Sequence, residues 1–152
     1  MLAPQEVRAG FAPLVSHVAR EWRRALDRRL QPFGLTEATW LPLLRISRSP
    51  TPMRQNELAA SLSLDGSSVV RLLDALEKAG LVERREDESD RRAKSLALTH
   101  AGRKTVEKVE AVSQDVRSAV LGEISDAELA AAFHTLSSIR ERLSKILEPA
   151  SV

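Results

Sequence analysis

Apolar residues recur at intervals of three and four between Arg8 and Gln31: Phe11, Leu14, Val15, Val18, Trp22, Ala25, Leu26 and Leu30. This spacing lays them along one stripe of a long helix, which Pro32 and Gly34 end. Near the other end of the chain, Ser125 and Glu128 make a capping-box pattern. Leu129, Ala132, Phe133, Leu136, Ile139, Leu143, Ile146 and Leu147 follow it, and Pro149 closes that helix. Two such stripes exceed what one small core requires. A second copy of the chain is the expected cover, and packing of both stripes within one chain is the alternative.

Between these helices, Thr36 is placed to cap a helix through about Arg48. Pro42 falls inside it and is expected to kink the helix or delay its start. Ser47 to Met53, with Pro50 and Pro52, reads as a loop. Two short helices follow, Gln55 to Ser63 and Asp65 to Ala79, with almost nothing between them. After Gly80, a C-terminal cap, the period changes from three-and-four to two. Leu81–Glu86 and Ala93–Leu98 are strand candidates joined as a hairpin. Thr99 then caps a helix to about Leu121, carrying Val106, Val109, Val112, Val116 and Val120. The expected fold is mainly α with a small β-hairpin.

Two short helices joined by a tight turn make a helix-turn-helix. Small Ala59 and Ala60 allow a close crossing, while Val69, Leu72, Leu73 and Leu76 anchor the second helix. Its N-terminal and outward residues include Ser67, Ser68, Val70 and Arg71. The serines and the free N–H groups of a first helical turn suit a phosphate or a base edge. Arg71 can grip guanine O6 and N7 together, and Val70 can touch a thymine methyl. The bland alternative is a bundle helix with capping serines, but the hairpin behind it completes a winged helix. In that setting the tip E-D-E-S-D-R-R-A-K acquires a purpose. Arg91 and Arg92 are placed to enter a minor groove, with Asp90 or Asp87 orienting a guanidinium. Arg84, Arg85 and Lys94 are expected along the phosphates, with Glu86 and Glu88 solvated.

Composition narrows the possible functions. The 152 residues carry a net charge of +2, but the basic residues concentrate in Arg20–Arg29 and Arg84–Lys94. With 43% hydrophobic and 29% charged residues the chain is suited to fold, and with 3% aromatics its core must be aliphatic. The absence of cysteine removes disulfides, thiolate nucleophiles and Cys-based zinc sites. His17, His100 and His134 have no metal-ligand spacing, and no phosphate loop, nucleophile elbow or dinucleotide fingerprint occurs. The expectation is no enzyme and no cofactor. No apolar run reaches the roughly 20 residues of a membrane span, and no signal-peptide pattern opens the chain, which places it in the cytoplasm.

The motif Gly80, Leu81, Val82, Arg84, Asp87, Asp90, Arg91, Arg92, Ala93, Lys94, Leu98, Thr99 and Gly102 resembles the "GLV.R…D..DRRAK…LT..G" pattern of MarR-family transcriptional regulators. The chain is similar in particular to the SlyA branch, through R-x-W-R at Arg20–Arg23, D-x-R-L-x-P at Asp27–Pro32, LT…W at Leu35–Trp40 and S-x-V-R-x-L-D-x-L-E at Ser68–Glu77. The resemblance implies a homodimer reading a palindromic operator in double-stranded DNA. Residues 1–34 and 99–152 would form a helical dimerisation region from both chain ends, and residues 35–98 the winged helix-turn-helix lobe. It implies major-groove readers at Ser67, Ser68 and Arg71 and wing arginines at Arg91 and Arg92. It also implies a small aromatic carboxylate as a possible ligand, lined here by His17, Trp22 and Trp40 with Arg20 or Arg24 as its ionic partner. A winged helix serving protein interaction without DNA is the alternative, and it would need a partner with an acidic face to match the wing.

Overall fold

The computed structural model describes residues 1–87, 89–90 and 92–148, so Arg91 and Pro149 lie outside the described residues. Its elements run α1 (Pro4–Leu30), a 3-10 turn (Gln31–Phe33), α2 (Glu37–Arg48), β1 (Met53–Arg54), α3 (Gln55–Leu62), α4 (Gly66–Lys78), β2 (Val82–Glu86), β3 (Lys94–Leu98), α5 (His100–Leu121) and α6 (Asp126–Leu147). The chain divides into two compact units, Met1–Val116 and Arg117–Val152.

In the first unit the apolar stripes meet in one core. Leu26 and Leu30 of α1 join Trp40, Leu43 and Leu44 of α2, Leu58 of α3, Val69, Leu73 and Leu76 of α4, Val82 and Leu96 of the sheet, and Val106 and Val109 of α5. Removing a leucine such as Leu73 from water contributes about 1.5–3 kcal/mol, so these aliphatic contacts are what hold the small helices in place. α2 begins at Glu37, so Pro42 does not delay its start; the ring is buried in the core. The proline only deprives the Ala38 carbonyl of its usual donor.

The sheet departs from the expected hairpin. It has three strands in the order β1-β3-β2, all antiparallel. Met53 pairs with Leu96 and Arg54 with Ser95, so part of the expected Ser47–Met53 loop is an edge strand. Two residues behind Pro50 and Pro52 are too short to show a period of two.

Two glycines fix the joint between α4, the sheet and α5. Gly80 has φ +73° and lets the Gly80 and Leu81 N–H groups close the end of α4 onto the Glu77 and Leu76 carbonyls. Gly102 is buried where a Cβ would stand 2.0 Å from the Leu81 carbonyl oxygen. Thr99 locks the same place: its Oγ1 donates to the Gly80 carbonyl at 2.6 Å and accepts the Gly102 N–H at 3.0 Å.

The second unit comprises the end of α5 and α6. α6 opens on the expected capping box, with the Glu128 N–H on Ser125 Oγ and the Ser125 N–H on Glu128 Oε2. Phe133, Leu136, Leu143, Ile146 and Leu147 are exposed along it, and Leu14, Val15 and Val18 are exposed along α1.

Candidate nucleic-acid interface

The candidate interface begins at the start of α4. Ser63 ends α3 in the left-handed region at φ 53°, which turns the chain sharply. Asp65 then caps α4: its Oδ1 accepts the Ser68 N–H at 2.7 Å and the Ser67 hydroxyl at 2.9 Å. The Ser67 hydroxyl proton is therefore engaged within the cap, and Ser68 is half-buried beside it. Val70 and Arg71 are exposed. The Arg71 guanidinium makes no hydrogen bond or ion pair among the described residues, leaving its full fork of donors for a partner.

The Ser68 N–H, followed by the serine hydroxyls, holds the Asp65 carboxyl below the usual carboxylate range. A folded value below the unfolded one stabilises the fold at neutral pH. That contribution is lost as pH falls from about 3.9, the unfolded value, through the folded one. Asp65→Asn keeps a capping acceptor but lacks the charge. We expect its urea midpoint to lie below that of the wild type at pH 6 and the gap to narrow as pH falls below the unfolded carboxylate value.

Arg84 of β2, expected along the phosphates, is instead turned into α4. Its Nη1 donates to Glu77 Oε2 at 3.0 Å, and its Nη2 to Asp74 Oδ1 at 2.8 Å and to the Val70 carbonyl at 3.4 Å. Its Nε is buried without a partner. The side chain thus ties the sheet to α4 and offsets part of the charge of two carboxylates. Arg85 pairs with Glu83 on the exposed face of the hairpin.

At the far end of the hairpin the acids have separate tasks. Asp87 accepts from Arg54 Nε at 2.9 Å, and its Oδ1 takes the Ser89 N–H and hydroxyl; the wing arginine Arg91 that it was expected to orient lies outside the described residues. Asp90 Oδ1 accepts the Arg92 backbone N–H at 3.0 Å, and the Ala93 N–H returns to the Asp90 carbonyl. These bonds form a tight turn with Arg92 exposed on it. Lys94 is exposed opposite Glu86. Sequence reasoning missed Arg54; its signal was one basic residue immediately ahead of a capped short helix.

The ligand residues are not gathered in the way the resemblance implied. Trp40 is only 1% exposed, and its indole N–H donates to Asp27 Oδ1 at 3.2 Å. It is a core residue, so it cannot line an open ligand site. Trp22 is half-buried against the same core, while His17 and Arg20 are exposed on α1. Arg24 pairs with Glu21 at 3.0 Å over a shallow depression shared with Arg28 and Arg29. A larger open groove, about 610 Å³, lies between Phe33 and Leu35 on one side and Lys104, Thr105, Lys108 and Ala111 of α5 on the other. Lys108 Nζ stands 4.7 Å from the centre of the Phe33 ring.

The model of the MarR family matches residues 33–93, from the turn after α1 through the hairpin tip. A structure of a MarR-family transcriptional regulator from Rhodococcus sp. RHA1 is 30% identical, over 91% of this chain and 96% of that one, with a TM-score of 0.72. The chain belongs to the MarR family of transcriptional regulators. A transcriptional regulator designated PA3341 is similar at 39% identity, over 89% of this chain and 98% of that one, with a TM-score of 0.83. CouR from Rhodococcus jostii RHA1, solved with p-coumaroyl-CoA bound, is 30% identical over 91% and 92% with a TM-score of 0.69. MarR-family regulators are in general DNA-binding proteins without enzymatic activity. The helix-turn-helix and the three-stranded wing are thus the winged helix of the MarR-family fold. No helix among the described residues is long and apolar enough to cross a membrane.

Proposed function

We propose that this MarR-family regulator binds a palindromic operator as a homodimer, α4 reading the major groove and the wing an adjacent minor groove. The observation that carries this reading is the contrast among the arginines. Arg84 and Arg54 are bound internally, whereas Arg71 on α4 and Arg92 on the wing turn are exposed, with no side-chain hydrogen bond or ion pair among the described residues. The exposed apolar residues of α1 and α6 support pairing with a second copy. Residues 1–34 and 99–152 are proposed as the dimerisation region and 35–98 as the DNA-binding lobe. Membership of the SlyA branch is part of the proposal, and the motifs at Arg20–Arg23, Asp27–Pro32, Leu35–Trp40 and Ser68–Glu77 support it. Selection from random duplexes tests the proposal: recovered sites should contain two inverted half-sites about 10 bp apart, one helical turn. Recovery of unrelated sequences would overturn it.

The aromatic-acid part of the reading shifts from Trp40 to the groove of Phe33, Leu35, Lys104 and Lys108, which offers an apolar wall and two ammonium groups beside the single carboxylate of Glu107. The aromatic acyl-CoA held by CouR supports an effector of this class. To regulate, such an acid must bind the DNA-competent and incompetent states with different affinity. A panel of aromatic carboxylates that shifts neither melting temperature nor DNA affinity would remove this part of the proposal.

A further inference from the structure

The bond between Arg54 and Asp87 joins two elements that no backbone ladder connects at that point. Arg54 is fixed at its backbone: its N–H donates to Glu57 Oε2 at 2.8 Å in the cap of α3, and it pairs with Ser95 across β3. From this anchored base its side chain reaches the hairpin end, with Nε on Asp87 Oδ2 at 2.9 Å and Nη2 on Ser89 Oγ at 3.4 Å. Asp87 sits at the last rung of the hairpin, where its N–H donates to the Ala93 carbonyl at 3.1 Å, and Ala93 adjoins Arg92. The Asp87 side chain is only 18% exposed, so the pair is partly shielded from water.

We infer that Arg54 is a positioning residue for DNA binding, a strut from the helix-turn-helix that sets the wing and the Arg92 guanidinium at the pitch of the minor groove. The inference rests on the DNA-binding reading above and deepens it. Among the described residues the other bonds at the hairpin end lie within the hairpin itself, and a short exposed hairpin alone has little stiffness. A charge-assisted pair with two donors and a shared carboxylate restrains direction as well as distance. In this role the Arg54 charge is spent on Asp87 and does not replace a counterion on DNA.

That last point separates positioning from simple phosphate contact. With a selected operator, Arg54→Ala should weaken binding by about tenfold, the scale of one charge-assisted contact, while leaving the salt slope unchanged. Preference for A·T-rich over G·C-rich flanks should fall with it. Asp87→Asn provides the sharper test. It removes a negative charge from a DNA-facing surface, so electrostatics alone predicts tighter binding, whereas loss of the strut predicts weaker binding and reduced flank preference. The double variant should bind no worse than either single one. Arg54→Lys, which keeps the charge but loses the fork, should recover only part of the flank preference. Amide exchange of free protein supplies a readout without DNA: residues 84–87 and 94–97 should exchange faster in Arg54→Ala while residues 66–78 stay unchanged. Tighter binding by Asp87→Asn, or a salt slope reduced by about one in Arg54→Ala, would overturn the inference while leaving DNA binding intact. Failure of the wild-type protein to select any DNA would instead overturn the functional reading, and this inference with it.

Discussion

Arg71→Ala is expected to lower operator affinity by about 1–3 kcal/mol per half-site and to flatten base preference at one position in each. The side chain is exposed on α4 and has no hydrogen-bond partner among the described residues, so its removal breaks nothing in the fold. The melting temperature should therefore stay within a degree or two of the wild type, as for exposed sites generally, about 0.5 kcal/mol either way. On a palindrome the loss counts once in each subunit, so the complete site loses roughly twice that energy if the half-sites act independently. Arg71→Lys keeps the charge but not the fork, and should retain non-specific affinity while losing most of the base discrimination. Titrations against operators varied one base pair at a time measure both quantities. Undiminished discrimination in the alanine variant would remove Arg71 from the reading surface.

Gly102→Ala is expected to destabilise the first unit by about 3 kcal/mol, the upper part of the range for overpacked sites. Its Cβ would stand 2.0 Å from the Leu81 carbonyl oxygen, a backbone atom with no freedom to rotate aside. That carbonyl also accepts the Thr99 N–H at 3.1 Å, so moving α5 away breaks the link that ties the helix to the sheet. Gly10→Ala serves as control. Gly10 lies within α1 with nothing within 4 Å of an added Cβ, and alanine there should stabilise by up to about 1 kcal/mol through helix propensity. Urea unfolding of the two variants at neutral pH measures the contrast, and equal midpoints would show that the close approach of α5 to Leu81 is not a constraint on the fold.

These two sites mark how far sequence reasoning reached. Helices with strong three-and-four periodicity were legible from their apolar stripes, although α1 begins at Pro4 and not Arg8; Leu73 and Leu76 are buried as their phase required, while Leu14 of α1 and Phe133 of α6 are exposed. The Ser125–Glu128 box was legible for a local reason, since a capping side chain needs only its own helix, whereas at α4 the cap is Asp65 and not the serines that the sequence offered for it. β1 was not legible, because two residues carry no period and become a strand only when Leu96 and Ser95 arrive from more than 40 residues away.

Among the site residues, types were easier to read than partners. An arginine in a basic stretch looks the same whether it faces phosphate or carboxylate. Arg84 could be told from Arg71 only after folding brought Asp74 and Glu77, ten and seven residues away in sequence, within reach. Asp87 sits in the acid-rich tip, but its partner Arg54 is 33 residues upstream on another element. Trp40 illustrates the opposite error: an aromatic ring read as ligand lining is the largest buried side chain of the core.

The central claim is that this MarR-family chain reads sequence, and competition at physiological salt tests it most directly. Labelled duplex carrying the selected palindrome is challenged with unlabelled palindrome and with the same base pairs scrambled. The account predicts that scrambled DNA competes about a thousandfold or more less well, the lower bound of specific recognition, and that both affinities fall steeply with added salt. Equal competition by scrambled DNA would contradict it.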